Sequence, residues 1–186
     1  KVQPFLMDKT MVTVADFRDF IEKTGYVTEA EKFGDGVVFD FEQSNWVLVP
    51  NATWEYPQGP SGEKAYDNHP VTMLSYNDAV EYLSWVGKRL PTEIEWEHAA
   101  RGISLRDNPY SWGQELLQND TTYMANTWNG VFPIINTIDD GYLTTSPVGT
   151  FGTNQFDLSD MGGNVWEWTS DWYRSYEEYN QPYTIN

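Results

Sequence analysis

Hydrophobic residues recur at helical spacing in three places along the chain. Val14, Phe17, Phe20 and Ile21 fall on one face, with Thr13 placed to cap the segment and Gly25 to close it. Asp16, three residues after Thr13, suits the positive start of such a helix. A second helix is predicted from Ser75 or Asn77 through Ala79, Tyr82, Leu83 and Val86 to Gly87. A third opens at Thr92, where Glu95 completes a Thr-x-x-Glu capping box ahead of Trp96, Ala99 and Ala100, and Gly102 ends it. Pro91 cannot prolong a preceding helix, so Gly87 to Thr92 reads as a helix end, a turn and a fresh cap.

Alternation of the two-residue kind is weaker. Residues 2–7 alternate loosely and read as a short strand, as do Val37-Val38-Phe39 and Trp46-Val47-Leu48-Val49. Residues 26–70 otherwise carry little helical periodicity. Residues 103–165 are irregular and rich in Gly, Asn, Asp and Pro. A stretch of that length is either functional or held by something other than a helix face. There is no internal repeat and no low-complexity linker, so residues 1–186 are expected to form one domain.

Composition sharpens this picture. Hydrophobic residues make up 40% of the 186 positions and aromatics 16%, with 9 Trp, 12 Tyr and 9 Phe. Rings carry enough apolar area to argue against disorder. A mean hydropathy of -0.58 shows that the remainder is strongly polar, as in a loop-rich fold around an aromatic interior. The 28 acidic residues outnumber 11 basic ones, for a formal charge of -17. A field of that sign repels phosphate backbones, which argues against nucleic-acid binding. The densest basic pair, Lys88 and Arg89, is expected to meet carboxylates. The acidic excess fits either a solvated surface or bound cations.

Several chemistries are excluded. With no cysteine, these residues offer neither a disulfide nor a thiolate nucleophile. No run is apolar enough to span a membrane, and the first five residues are not a signal peptide. His69, in His-Pro-Val, and His98, within the third helix, are expected to be structural. No nucleophile elbow, phosphate-binding glycine loop or zinc spacing occurs.

Three segments, read together, resemble the formylglycine-generating enzyme (sulfatase-modifying factor) family. They are Thr24-Gly25-Tyr26-Val27-Thr28-Glu29-Ala30-Glu31-Lys32-Phe33-Gly34; His69-Pro70-Val71 continuing to Gly87-Lys88-Arg89-Leu90-Pro91-Thr92-Glu93-Ile94-Glu95-Trp96-Glu97 and Arg101-Gly102; and Tyr110-Ser111-Trp112-Gly113 through Ala125-Asn126, Asp140-Gly141-Tyr142 and Pro147-Val148 to Gly163-Asn164-Val165-Trp166-Glu167-Trp168. The resemblance implies an α+β domain, irregular and loop-rich, of the C-type-lectin-like fold, with short helices and short antiparallel strands. It also implies oxidation of a cysteine in a sulfatase-type Cys-x-Pro-x-Arg sequence to formylglycine, using molecular oxygen. The partner is then a protein or peptide substrate.

The resemblance further implies two calcium sites. One takes the side chains of Asn126 and Asp140 with the carbonyls of Thr127 and Tyr142. The other takes the side chains of Asp160 and Glu167 with the carbonyls of Gly163 and Val165. The donors suit Ca2+, a hard cation that takes six to eight oxygens. Asp/Asn/Gly clusters also make ordinary Asx-turns, and that alternative stays open. Position 160 is Asp where a relative can carry Asn, which adds charge for a cation.

The family's paired cysteines, which bind copper as Cu+, have no counterpart here, nor has its first Gly-x-Phe-x-Met-Gly strand. The domain is therefore expected to be incomplete at both ends, with Cu+ present only where a cysteine segment is supplied. The competing expectation is a non-catalytic, calcium-stabilised binding or scaffold module that serves a protein partner. Inactive paralogues and lipoproteins of gliding and secretion machines are relatives of that kind. The rings of Trp166, Trp168, Trp172 and Tyr173 are expected to fill the core, with a peptide groove as their other use. The loop at 121–145 is a candidate partner surface in either case. Export, periplasmic or secretory, is favoured over the cytoplasm.

Overall fold

Four helices open in the same way. A Ser or Thr hydroxyl accepts the N–H three residues on, and an acidic side chain at that third position reaches back to the cap's own N–H, so two orphan donors are satisfied together. The pairs are Thr13 with Asp16, Thr28 with Glu31, Ser75 with Asp78, and Thr92 with Glu95. They start α1 (Val14–Thr24), α2 (Glu29–Phe33), α3 (Tyr76–Val86) and α4 (Glu93–Arg101). Gly25, Gly34 and Gly87 close the first three in the left-handed conformation. The protein is seen here as a computed structural model that describes residues 2–102 and 108–175. Residues 103–107 of the irregular stretch lie outside the described residues.

The three helices expected from periodicity are α1, α3 and α4. The short α2 lies within residues 26–70, where the sequence carries little helical periodicity. None of its five residues is buried, so it shows no apolar face. Its signature is the cap alone.

Strands among the described residues form three separate two-stranded antiparallel ladders. The longest joins β1 (Asp35–Asp40) to β2 (Asn45–Pro50), with Asp35 opposite Pro50 and Asp40 opposite Asn45. The other two are minimal: β3 (Leu117–Gln118) with β4 (Thr122–Tyr123), and β5 (Gly130–Val131) with β6 (Ile135–Asn136). The expected strand at residues 2–7 forms no ladder. Its side chains still alternate: Phe5 and Met7 pack inward while Leu6 is fully exposed. The backbone of this segment pairs with no strand among the described residues.

Two clusters make the interior among the described residues. Val14, Phe17 and Phe20 of α1 bury against Trp54, with Tyr26, Leu74 and Tyr82 around them. Phe17 and Trp54 meet edge to face at 5.6 Å between centroids, a favourable ring geometry. Ala99 and Ala100 of α4 bury against Leu158 and Met161. The irregular stretch is thus anchored to α4 by apolar contact and by Asn154, whose Nδ2 donates to the carbonyls of Ala99 and Ala100 at 2.7 and 3.1 Å. Those helix-end carbonyls would otherwise lack partners. The architecture is mixed: short helices, short antiparallel strands and long loops held by side chain–backbone hydrogen bonds.

Candidate functional site

Asp140 closes the loop of the first candidate site. Its Oδ2 accepts the Thr127 N–H at 2.7 Å and its Oδ1 the Tyr142 N–H at 3.0 Å. The second bond is an Asx-turn, so the turn reading holds for this residue. The four residues expected together are therefore together, with the carboxylate engaging the amides of the two residues whose carbonyls were named. Asn126 is buried, and its Nδ2 donates to Thr144 O at 2.7 Å. Its Oδ1 takes no hydrogen bond among the described residues. A cavity of about 280 Å³ lies alongside, lined by Asn126, Thr127, Trp128, Thr144 and Asn164 among others.

At the second candidate site, Asp160 is half-buried at a positive φ of 57° and accepts the Gly149 N–H at 2.6 Å. Burial raises its pKa. Glu167 is exposed as a residue, yet its carboxyl end is desolvated and pushed up to about 7, burial being the main cause. The Trp96 indole N–H, closed off from solvent and without a partner of good hydrogen-bond geometry among the described residues, pulls that value part of the way down. The Asp160 charge raises it further. Two desolvated carboxylates within electrostatic reach of each other are the donor chemistry a hard cation relieves. No group of three or more His, Asp or Glu is clustered for a metal among the described residues. Carbonyl and amide oxygens would therefore supply most of the donors at either site. On this chemistry the residues fit calcium.

Other candidate residues have structural partners. His69 Nδ1 lies 2.8 Å from Thr145 Oγ1, and His98 packs on Phe156 at 5.8 Å between ring centres. Lys88 pairs with Asp8, and Arg89 grips Glu95 through two bonds of 2.7 and 2.8 Å. The C-terminal tryptophans overturn their expectation. Trp166 is 94% exposed, Trp172 81% and Tyr173 92%, so these rings do not fill the core. Trp168 is half out, tied by its indole N–H to Leu74 O at 3.2 Å. The loop at 121–145 also presents apolar surface, with Val131, Phe132, Ile134 and Ile135 all exposed. Its rings join those of the first hairpin: Trp128 stacks on Phe41 at 5.2 Å and Phe132 meets Phe39 at 5.3 Å.

Sequence reasoning named Asn164 only within a family motif and missed its place between the two candidate sites. Its backbone N–H donates to Asn126 O at 2.9 Å, and its side chain bonds both the N–H and the carbonyl of Ser146, at 3.0 and 3.2 Å. Asparagine tolerates its φ of 63°.

Residues 1–185 match the sulfatase-modifying factor enzyme 1-like domain. The chain belongs to that family. It is 45% identical over 188 residues to the formylglycine-generating enzyme of Mus musculus, covering 92% of this chain and 50% of that protein. It is 44% identical to the formylglycine-generating enzyme of Thermomonospora curvata, covering 93% and 61%. Identity is 43% to the inactive C-alpha-formylglycine-generating enzyme 2 of Mus musculus, covering 93% and 60%. Among solved structures, PvdO from Pseudomonas aeruginosa superposes with a TM-score of 0.60 at 26% identity, covering 89% of this chain and 56% of that one. The chain thus spans about half the length of the mouse enzyme. No described helix is long and apolar enough to cross a membrane.

Proposed function

We propose that this chain is the body of a formylglycine-generating-enzyme-like protein, whose substrate is a polypeptide with a sulfatase-type Cys-x-Pro-x-Arg sequence. Family membership over residues 1–185, at 45% identity to a formylglycine-generating enzyme, carries the reading. The exposed rings of Trp166, Trp172 and Tyr173 support it, because rigid aromatic surface suits an extended peptide. A net charge of -17 also favours an arginine-bearing partner. The fold is read as C-type-lectin-like, with Ca2+ as a structural cofactor of the two sites above. That role suits loops with few apolar contacts of their own.

None of these 186 residues can supply the thiolate pair with which the family holds Cu+, since none is cysteine. Oxidation would draw on thiolates outside them. That same observation favours a second reading, a non-catalytic module, as does the 43% identity to a relative named inactive.

The test is to express the protein from its complete gene and incubate it with a Cys-x-Pro-x-Arg peptide, Cu+ and oxygen. Conversion of the peptide thiol to an aldehyde, read by mass and by hydrazide capture, is expected. A peptide that binds but keeps its thiol selects the module. A peptide that neither binds nor reacts removes the proposed substrate.

A further inference from the structure

The two candidate calcium sites are separate ligand sets, yet their backbones are in direct contact. Asn164 belongs to neither set and lies between two residues of the second, Gly163 and Val165. Its N–H donates to the carbonyl of Asn126, the first residue of the other set, at 2.9 Å. Its Oδ1 accepts the Ser146 N–H at 3.0 Å and lies 3.4 Å from the Asn126 Nδ2. Its Nδ2 returns a bond to Ser146 O at 3.2 Å. Gly163 comes so close that a Cβ there would collide with the Asn126 carbonyl oxygen, and its φ is 82°. The residues of one set are thus hydrogen-bonded to those of the other through one asparagine.

We propose that the two calcium sites are thermodynamically coupled, and that Asn164 is the positioning residue that couples them. This rests on reading both as calcium sites. An ion that draws in the carbonyls of Gly163 and Val165 fixes the peptide unit before Asn164 and the one after Val165, and so restrains Asn164 between them. The bonds from Asn164 then fix Asn126 and Ser146. With Nδ2 engaged by Thr144 O and Asn164 Oδ1, Asn126 keeps Oδ1 as its uncommitted end for the first ion. Asn126 lines the cavity alongside and is held by hydrogen bonds at its Nδ2 and its backbone carbonyl. Ordering needed by both ions is then met once, and whichever ion binds second binds more tightly. Linkage makes the effect reciprocal.

The experiment is calorimetric titration of the chelator-stripped full chain with calcium, each variant being checked for folding by its melting temperature. Wild type is expected to take two ions. Asp140→Asn, at the first site, is expected to weaken the ion left at the second by about fivefold or more, and Glu167→Gln to weaken the first site equally. Asn164→Asp keeps an asparagine-like backbone preference but loses the donor to Ser146. Its charge shifts both affinities, so the quantity read is the effect of Asp140→Asn within that background, expected to shrink to within about twofold. Two ions that ignore each other's removal in the wild-type background overturn the coupling and leave the calcium reading standing. Persistent coupling in Asn164→Asp overturns the role of Asn164. Uptake of one ion or none overturns the two-site reading itself.

Discussion

The hydroxyl of Tyr26 donates to Asp78 Oδ1 at 2.9 Å, joining the entry of α2 to the first turn of α3. The same oxygen accepts the Glu29 N–H at 3.0 Å, and Oδ2 accepts the Ser75 N–H at 2.9 Å. Asp78 is completely buried, so these donors are what make its burial tolerable. Asp78→Ala strands all three and is expected to cost about 3 kcal/mol or more, whereas Tyr26→Phe removes one and costs about 1.5–3 kcal/mol. Urea unfolding measures both. A change below about 0.5 kcal/mol for Asp78→Ala would refute the assignment.

The acid limb of stability is expected to depend on Glu95. Its hydrogen bonds from Arg89, and then the Thr92 N–H, hold its carboxyl down to about 2 from an ordinary 4.5. A depressed carboxylate contributes stability above its unfolded value and loses that contribution as pH falls through the folded one. The window is therefore about pH 4.5 down to about 2. Glu95→Gln should flatten the fall in stability across that window and leave the neutral-pH slope unchanged. Denaturant midpoints measured at several pH values decide it.

Legibility varied with the kind of force involved. The helices α1, α3 and α4 were legible because an apolar face and a cap coincide in each. The helix α2 obeys the same cap rule through Thr28 and Glu31, but with no buried residue it has no periodicity to show. The ladder of β3 and β4 is set by a turn whose Asn119 and Asp120 sit at φ 53° and 61°, not by alternation. In the candidate site, Asn126, Asp140, Asp160 and Glu167 could be named from residue type and family pattern. Asn164 stood in the family pattern, but its links to Ser146 and Asn126 were illegible, because those partners lie 18 and 38 positions away. The tryptophans failed for a different reason: ring area predicts burial on average, and Trp166 and Trp172, at 94% and 81% exposure, depart from that average.

Two glycines at positive φ separate strain from collision. At Gly141 (φ 92°) an added Cβ meets nothing within 4 Å, so Gly141→Ala carries backbone strain alone, about 1–2 kcal/mol. At Gly163 (φ 82°) the same Cβ meets backbone that cannot yield easily. Gly163→Ala is therefore expected to cost clearly more than Gly141→Ala. Paired urea titrations check the order, and equal losses would mean that the loop at Gly163 shifts freely against Asn126.

Chelation supplies a stability prediction. With calcium at a hundredfold excess over its dissociation constant, each site adds about 2.7 kcal/mol, which EGTA should remove. The loss is expected as a lower melting temperature and as faster amide exchange between residues 126 and 168, with α1 little affected. Magnesium should not restore it, because it demands tighter octahedral geometry than loop carbonyls offer. Scanning calorimetry with each ion measures the effect, and an unchanged melting temperature after EGTA would remove calcium from the structural account.

Trp166 offers the cleanest separation of recognition from stability. At 94% exposure its ring buries almost nothing in this chain, so Trp166→Ala should change folding stability by less than about 0.5 kcal/mol. If the exposed rings form a peptide surface, the same substitution removes a large rigid contact. Buried anchors of that kind are worth about 2 kcal/mol or more, roughly thirtyfold in affinity. Fluorescence titration with a Cys-x-Pro-x-Arg peptide, on wild type and Trp166→Ala, reads the affinity, and urea unfolding reads the stability. Weak binding with intact stability assigns the ring to the substrate. Lost stability with intact binding would return it to the fold.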